Sequence, residues 1–441
     1  MVPRSGEAYP PMPIRSIPRV FRLGPVRNRI VPAVMLIAVL LGGDPVAPTP
    51  SAAVAGPAGA PPGGAQQAGR VRAGVDELQA SGFEILLGRR VATLTHLPSR
   101  DGRGIRTIDL LQQAEGVELV RLFTPEHGIA SSLEGKVDDG RDGPTGLPVI
   151  SLYGDRRRPR PVDLEGLDDV VVDLQGAGVR FYTYATTLAY MLEACADAGV
   201  RVVVLDRPNP LGGSLVEGPS ADENLLSFLA YAPIPVVHGM TMGELALYFQ
   251  AAGTPAAAAE LQVVALGGWR RWMRFEDTGL VWRAPSPNLR NPTQALLYPA
   301  VGLLEACELS VGRGTDEPFE RIGAPWIRPA ELAAALEAAE IPGLRFTGIE
   351  FTPLAATYAG ERCGGVQLRL SDPGELRPVA AGMRIARVLE ALYARAFDAE
   401  AVDERLMAPK AWAAWAAGTE FAPVDEAFLM LLGSVLLYPT D

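Results

Sequence analysis

The sequence predicts an α/β protein: a parallel sheet with helices on both faces, followed by a smaller α+β region. Three observations carry this. From about residue 71, short β-rich runs alternate with helical patterns, as βαβ units require. Runs such as VRVVVLD at 200–206 are almost continuously apolar, as strands buried on both faces must be. After Trp282 the texture changes to a Pro/Asn-rich segment, APSPNLRNPT at 284–293, beyond which strands and helices cease to alternate.

Residues 1–55 have the composition of a cleaved export signal. Residues 1–29 hold six arginines and one acid; residues 30–43, IVPAVMLIAVLLGG, are apolar and uncharged, and Ala53-Val54-Ala55 offers an A-x-A cleavage site. The apolar run is shorter than the roughly 20 residues of a membrane span. It implies a secreted or periplasmic protein with no stable span after cleavage, an uncleaved anchor being the alternative. Residues 56–75 open with the Gly/Pro/Ala run of a linker. A catalytic domain is expected over 76–290 and a second over 291–441.

Strands are expected at 91–95, 117–123, 170–174, 200–206, 235–237 and 261–266, with helices at 107–114, 186–199 and 241–253. In the C-terminal part the expected helices are 329–340 and 376–395, and the strands 344–352 and 364–370. The net charge is −11, and the only concentrated basic run, Arg156-Arg157-Arg158, is short, which argues against a nucleic-acid partner. Cys195, Cys307 and Cys363 are too scattered for a disulfide framework or a zinc site.

In open α/β sheets, ligands bind beyond the carboxyl ends of the strands. Four predicted strands end in compact polar clusters: Glu126-His127; Asp173 and Gln175 running on to Arg180, Tyr182 and Tyr184; Asp206-Arg207-Pro208-Asn209; and His238 with Thr241 and Glu244. Each has a structural reading as well. Glu126-His127 could cap a helix, Asp173 could pair with Arg180, residues 206–210 could be a rigid turn, and His238 a satisfied buried histidine. Thr241 and Glu244 have capping-box spacing, the reading favoured for Glu244.

Several chemistries are absent. Gly176-Ala177-Gly178 lacks the third glycine of a dinucleotide fingerprint, position 181 being Phe. No phosphate-binding loop, HExxH or GxSxG motif occurs, and three histidines cannot build a His-rich metal site. No cofactor and no metal is implied. What remains is carboxylates, amides, arginines and aromatics, a set suited to carbohydrate. Tyr182, Tyr184, Trp282 and Trp326 can stack on sugar faces; Gln175, Asn209, Asn288 and Arg313 can bond hydroxyls or an acidic substituent. Glycoside hydrolysis needs a proton donor at the leaving oxygen and usually a second carboxylate. Glu126, following Phe123-Thr124-Pro125, suits the donor, with His127 beside it to orient it or share its proton. Asp173, Glu217 and Glu317 are further candidates.

FTPEHG, VVVDLQGAGVRFYTY, VLDRPNPLGG with VEGP, HGMTMGELA, PSPNLRNPTQALLYP and SVGRGTDEPFERIGAPW, in this order from about residue 85, resemble the exo-β-N-acetylmuramidase family. The resemblance implies a Rossmann-like domain, a smaller C-terminal domain and a cleft between them. It implies release of terminal N-acetylmuramic acid from the non-reducing ends of peptidoglycan fragments, with Glu126 in the position of the suspected catalytic glutamate. Gly176 departs from the acid usual after the family's D-x-Q. The lactyl carboxylate of such a sugar calls for an arginine fork; Arg180 and Arg313 come first, Arg290 third. For Arg313 the structural alternative is an ion pair with Asp316 or Glu317. Two rival functions stand beside this one: a non-catalytic muropeptide-binding protein, and an ester or amide hydrolase acting on cell-wall fragments.

Overall fold

The computed structural model describes residues 70–440, within one compact unit that spans Gln67–Asp441. The expected export signal, and all but the last few residues of the expected linker, lie outside the described residues. The chain enters through α1 (Gly74–Ala80), β1 (Arg89–Thr95), α2 (Thr107–Gln113), β2 (Val117–Thr124), β3 (Gly140–Arg141) and β4 (Pro148–Ser151). It continues through α3 (Pro161–Leu164), β5 (Asp169–Asp173), α4 (Tyr184–Ala198) and β6 (Arg201–Leu205). Next come β7 (Glu217–Ser220), β8 (Pro235–Val237), α5 (Met242–Ala251) and β9 (Leu261–Val264).

These elements build a seven-stranded sheet in the order β3-β4-β2-β1-β5-β6-β9. Every pairing is parallel except that of β3 with β4. The valines explain the two-faced burial. Side chains alternate along a strand, so Val170 and Val172 of β5 join one core with Leu188, Leu192, Leu245 and Phe249. Val171 between them joins the other, with Val75, Leu78, Ile108 and Leu111 of α1 and α2. The chain starts at central β1, builds outward through β2 and β4, then returns to the other side of β1 with β5. The strand order therefore reverses between β1 and β5.

The remainder is α6 (Pro292–Val301), β10 (Arg321–Ala324), α7 (Pro329–Ala338), β11 (Leu344–Phe351), β12 (Cys363–Leu370) and α8 (Pro378–Tyr393), then α9 (Asp403–Leu406), α10 (Pro409–Ala416) and α11 (Glu426–Val435). Here the sheet is antiparallel, β10-β12-β11. A single apolar core runs from Ala92 of β1 to Val435 of α11. Helix α4 stops at Gly199, whose φ of 66° only glycine adopts without strain.

One expectation changes. The strand at 235–237 forms, but β8 pairs antiparallel with β7 in a separate two-stranded sheet. Only three of the four polar clusters therefore lie at ends of the main sheet. The cysteines are all buried and free.

Candidate active site

β2 delivers Glu126 to an open cleft. Beyond Thr124 the chain turns sharply: His127 and Gly128 both have φ of 74°, the left-handed region. For histidine this conformation is uncommon and must be held by its surroundings. Here Nδ1 of His127 lies 2.7 Å from the Leu133 carbonyl, which fixes Nδ1 as the donor and leaves Nε2 free. The ring is thus tied to its own loop, and the contact that orients the Glu126 carboxylate comes from elsewhere. Thr183 Oγ1 donates to Glu126 Oε2 at 2.7 Å. Tyr184 Oη stands 2.9 Å from the Glu126 carbonyl and 2.9 Å from that of Pro285; its one proton serves one of them at a time. The Tyr153 phenol faces the same carboxylate. Burial first, then that negative charge, push its pKa up to about 12, so it stays a neutral donor.

Glu126 and His127 line a cavity of about 450 Å³. Its walls are aromatic, with Tyr153, Phe181, Tyr182, Phe228, Tyr298 and Phe319. Its charges are Glu126 and Glu305 against Arg157, Arg313 and Arg405, a cationic excess inside a chain of net charge −11. Glu305 is engaged: Arg313 Nε donates to it at 2.6 Å, and Arg405 Nη2 lies 3.8 Å away. Arg157 packs its guanidinium 4.3 Å from the centroid of the Phe228 ring. Among the described residues it has no carboxylate within ion-pair distance, while its neighbours pair with Asp139 and with Glu193 and Asp197.

Of the expected residues, Glu126, His127, Tyr182 and Arg313 meet at this cavity. The Tyr182 hydroxyl is buried beside that of Tyr184. Arg313 pairs with Glu305, and at 3.9 Å with Glu134, not with Asp316 or Glu317. Tyr184 is fully buried behind the wall, its ring centroid 4.6 Å from that of Tyr182. Asn288 donates to Glu134 at 2.6 Å and so reaches the site only through the Glu134–Arg313 contact.

The others serve elsewhere. Asp173 is fully buried; Arg207 grips it with Nε and, at 2.9 Å, Nη2, and Thr107 donates at 2.5 Å. Its partner is Arg207, not Arg180, and the pair is sealed from the cavity. Arg180, 1% exposed, spends its fork on four carbonyls, of Pro219, Ile234, Arg405 and Leu406. Burial pulls its pKa down to about 9, and no carboxylate of a ligand can reach it. Glu217 accepts from the Ala380 amide at 2.8 Å and so caps α8; burial raises its pKa. Glu317 is bound by Arg321 and, at 3.2 Å, by Arg369.

Gln175 bonds the carbonyls of Gly176 and Pro208, while Asn209 bonds the Met240 carbonyl and the Leu211 amide, the rigid-turn reading. His238 is buried, accepts from the Met240 amide, and has its pKa lowered to about 3 by burial and by Arg180. Thr241 and Glu244 form the capping box of α5. Trp282 donates its indole N–H to the Leu289 carbonyl and Trp326 to the Tyr358 hydroxyl, and neither lines the cavity.

Tyr153, Arg157, Thr183, Phe228, Glu305 and Arg405 join the site from outside the residues to which the sequence points. Arg157 is visible as the middle of a basic run, and Thr183 lies inside the VVVDLQGAGVRFYTY motif. Glu305 comes from the turn beyond α6 and Arg405 from α9, with no local sign of a site.

The family model described as exo-beta-N-acetylmuramidase NamZ matches in two parts, the N-terminal model over residues 91–293 and the C-terminal model over 296–432. A peptidoglycan beta-N-acetylmuramidase NamZ of Bacillus subtilis (strain 168) is 38% identical over 331 residues, covering 75% of this chain and 80% of that protein. The crystal structure of a DUF1343 family protein from Bacteroides fragilis NCTC 9343 matches with a TM-score of 0.75 at 32% identity, over 84% of this chain and 99% of the other. A second DUF1343 protein from that strain matches with a TM-score of 0.66 at 26% identity and the same coverage.

Proposed function

The chain belongs to the exo-β-N-acetylmuramidase NamZ family, and from that premise we propose that it removes N-acetylmuramic acid from the non-reducing ends of peptidoglycan fragments, with Glu126 as general acid. The observation that carries the assignment of the acid is its setting. Glu126 stands at a strand end in an aromatic cavity, held by the neutral donors Thr183 and Tyr153, with no cation within ion-pair distance among the described residues. A carboxyl group so placed can release a proton to a leaving oxygen and take one back. His127 lines the site with a free Nε2. The aromatic walls suit sugar faces, and Arg157, Arg313 and Arg405 suit the lactyl carboxylate. Among the described residues, Arg157 has no carboxylate to give up first.

The second group is the acetamido oxygen of the substrate itself. Supporting this reading, Asp173 and Glu217 are consumed in the fold, and the other carboxylate lining the cavity, Glu305, is tied to Arg313. Substrate assistance of this kind is an established exception to the two-carboxylate rule. The proposed site of action is outside the cytoplasm, by the N-terminal composition.

The test uses para-nitrophenyl β-N-acetylmuramide beside the glucosaminide that lacks the lactyl group. Release from the muramide alone, with retained anomeric configuration by NMR, is expected. Glu126→Gln should lower the rate at least ~10²-fold, and Arg157→Gln should narrow the preference for the muramide. Muropeptide binding without release from either substrate would mean a binding protein instead. Inversion at the anomeric carbon would rule out acetamido assistance.

A further inference from the structure

A second crevice opens at the carboxyl ends of the sheet and shares no lining residue with the catalytic cavity. It is lined by the turn after β1 (Pro98 and Arg100 to Gly104), by Gln175 and Arg207 after β5 and β6, and by Arg70 and Arg283. This is where the strand order reverses between β1 and β5, the position at which open α/β sheets hold ligands.

Its charge is unbalanced. Asp101 is spent on the turn, taking the Arg103 guanidinium at 2.9 Å and the amides of Arg103 and Ile105. Arg207 is spent on Asp173, and nearby Arg106 on Asp109 and Asp142. That leaves Arg70, Arg100 and Arg283, none with a carboxylate within ion-pair distance among the described residues. Arg100 donates only to carbonyls, of Leu97 at 3.3 Å and Gly104 at 2.9 Å. Arg283 converges on the same residue: a β-carbon on Gly104 would stand 3.1 Å from its Nη2. Arg70 Nη1 lies 3.7 Å from the equivalent point on Gly102; Asp76, 3.3 Å from that point, has its two oxygens taken by the amides of Gly102 and Ala73. Burial, then repulsion from Arg283 and Arg106, lower the Arg100 pKa against a smaller pull from Asp109, as expected of gathered cations short of counter-charge.

We propose that Arg70, Arg100 and Arg283 form a second ligand site that takes a phosphoryl dianion. Three uncompensated guanidinium groups in a net-acidic chain match two negative charges on adjacent oxygens better than one carboxylate, and arginine forks suit phosphoryl geometry. The crevice measures about 90 Å³, against roughly 300–1,000 Å³ for pockets that enclose a whole small molecule. A single phosphoryl group enters; any sugar or chain attached to it stays outside.

The test is thermal stability and calorimetry of the full-length protein with inorganic phosphate, with glucose 6-phosphate, and with acetate as a monoanion. A ligand that binds only the folded state raises Tm saturably. Phosphate and its ester should do so and acetate should not; tighter binding of the ester would identify a phosphorylated ligand, equal binding free phosphate. Arg283→Gln and Arg70→Gln should each weaken binding about tenfold, the loss of one charge-assisted hydrogen bond, while Arg313→Gln in the catalytic cavity should leave it unchanged. No saturable effect, or an effect lost in Arg313→Gln and kept in Arg283→Gln, would overturn the proposal.

Discussion

Glu126 and Asp173 are both carboxylates at the carboxyl edge of one parallel sheet, just after β2 and at the end of β5, and they have opposite fates. Asp173 meets a guanidinium fork and a threonine hydroxyl and is sealed. Glu126 meets a threonine and a phenol, both neutral, and stays open to a cavity. The difference lies in what faces each carboxylate. A buried charge must be paired, so an arginine arriving from the next strand end turns an acid into a structural strut. An acid met only by neutral donors keeps a proton-transfer role open.

The largest effect expected from breaking this contrast is on stability. Asp173→Asn leaves Arg207, only 6% exposed, without its counter-charge. Loss of one partner of a buried pair costs about 3–5 kcal/mol, which urea denaturation would read directly. Glu126→Gln, which breaks no ion pair, should stay within about 1 kcal/mol of the parent while losing activity. A stable but inactive Asp173→Asn would reverse the two roles.

Much of the fold was legible because buried strands and buried helices both read as long apolar runs set apart by turn residues. The valine runs of β5 and β6 and the long apolar helices left little choice of element or class. Of the residues lining the candidate cavity, the sequence pointed to Glu126, His127, Tyr182 and Arg313. Four strand ends looked alike in sequence because each carries an acid or a histidine beside amides and arginines. Whether these groups satisfy one another is decided by partners far along the chain, 34 residues from Asp173 to Arg207 and 57 from Glu126 to Thr183. β8 had a strand's composition, but nothing in three apolar residues says which sheet they join. Glu305 reaches the cavity from a turn and Arg405 from α9, places where charged residues are ordinary.

The buried groups at the other polar clusters should speak through pH and stability. His238 has a folded pKa of about 3 against 6.5 unfolded, so the unfolded chain takes up a proton that the folded chain refuses. Stability is full above pH 6.5 and is lost as pH falls, by roughly 2 kcal/mol between pH 6.5 and 5. His96, lowered by burial and by Arg207, acts in the same direction. Asp206 opposes them: burial raises its pKa to about 6, so its folded form holds a proton as pH drops, returning about 1 kcal/mol over the same window. The net expectation is a lower urea midpoint at pH 5 than at pH 7, with the difference smaller in His238→Gln. A protein more stable at pH 5 would contradict the burial of two neutral histidines.

The smallest effect concerns what keeps Glu126 aimed. Thr183 opens α4, and its hydroxyl donates to the Glu126 side chain at 2.7 Å. Thr183→Val keeps the branched shape and deletes that donor. A hydrogen bond contributes about 0.5–1.5 kcal/mol, and the Tyr153 phenol, which faces the same side chain, remains in place. The expected loss is therefore about 1 kcal/mol, or roughly fivefold in kcat, with KM nearly unchanged because the sugar still meets the same aromatic walls. Thr183→Ser, which restores the hydroxyl, should restore the rate. A rate unchanged in Thr183→Val would mean that Tyr153 alone holds the carboxylate, and the openness of Glu126 would then rest on the β4 side of the cavity rather than on the start of α4.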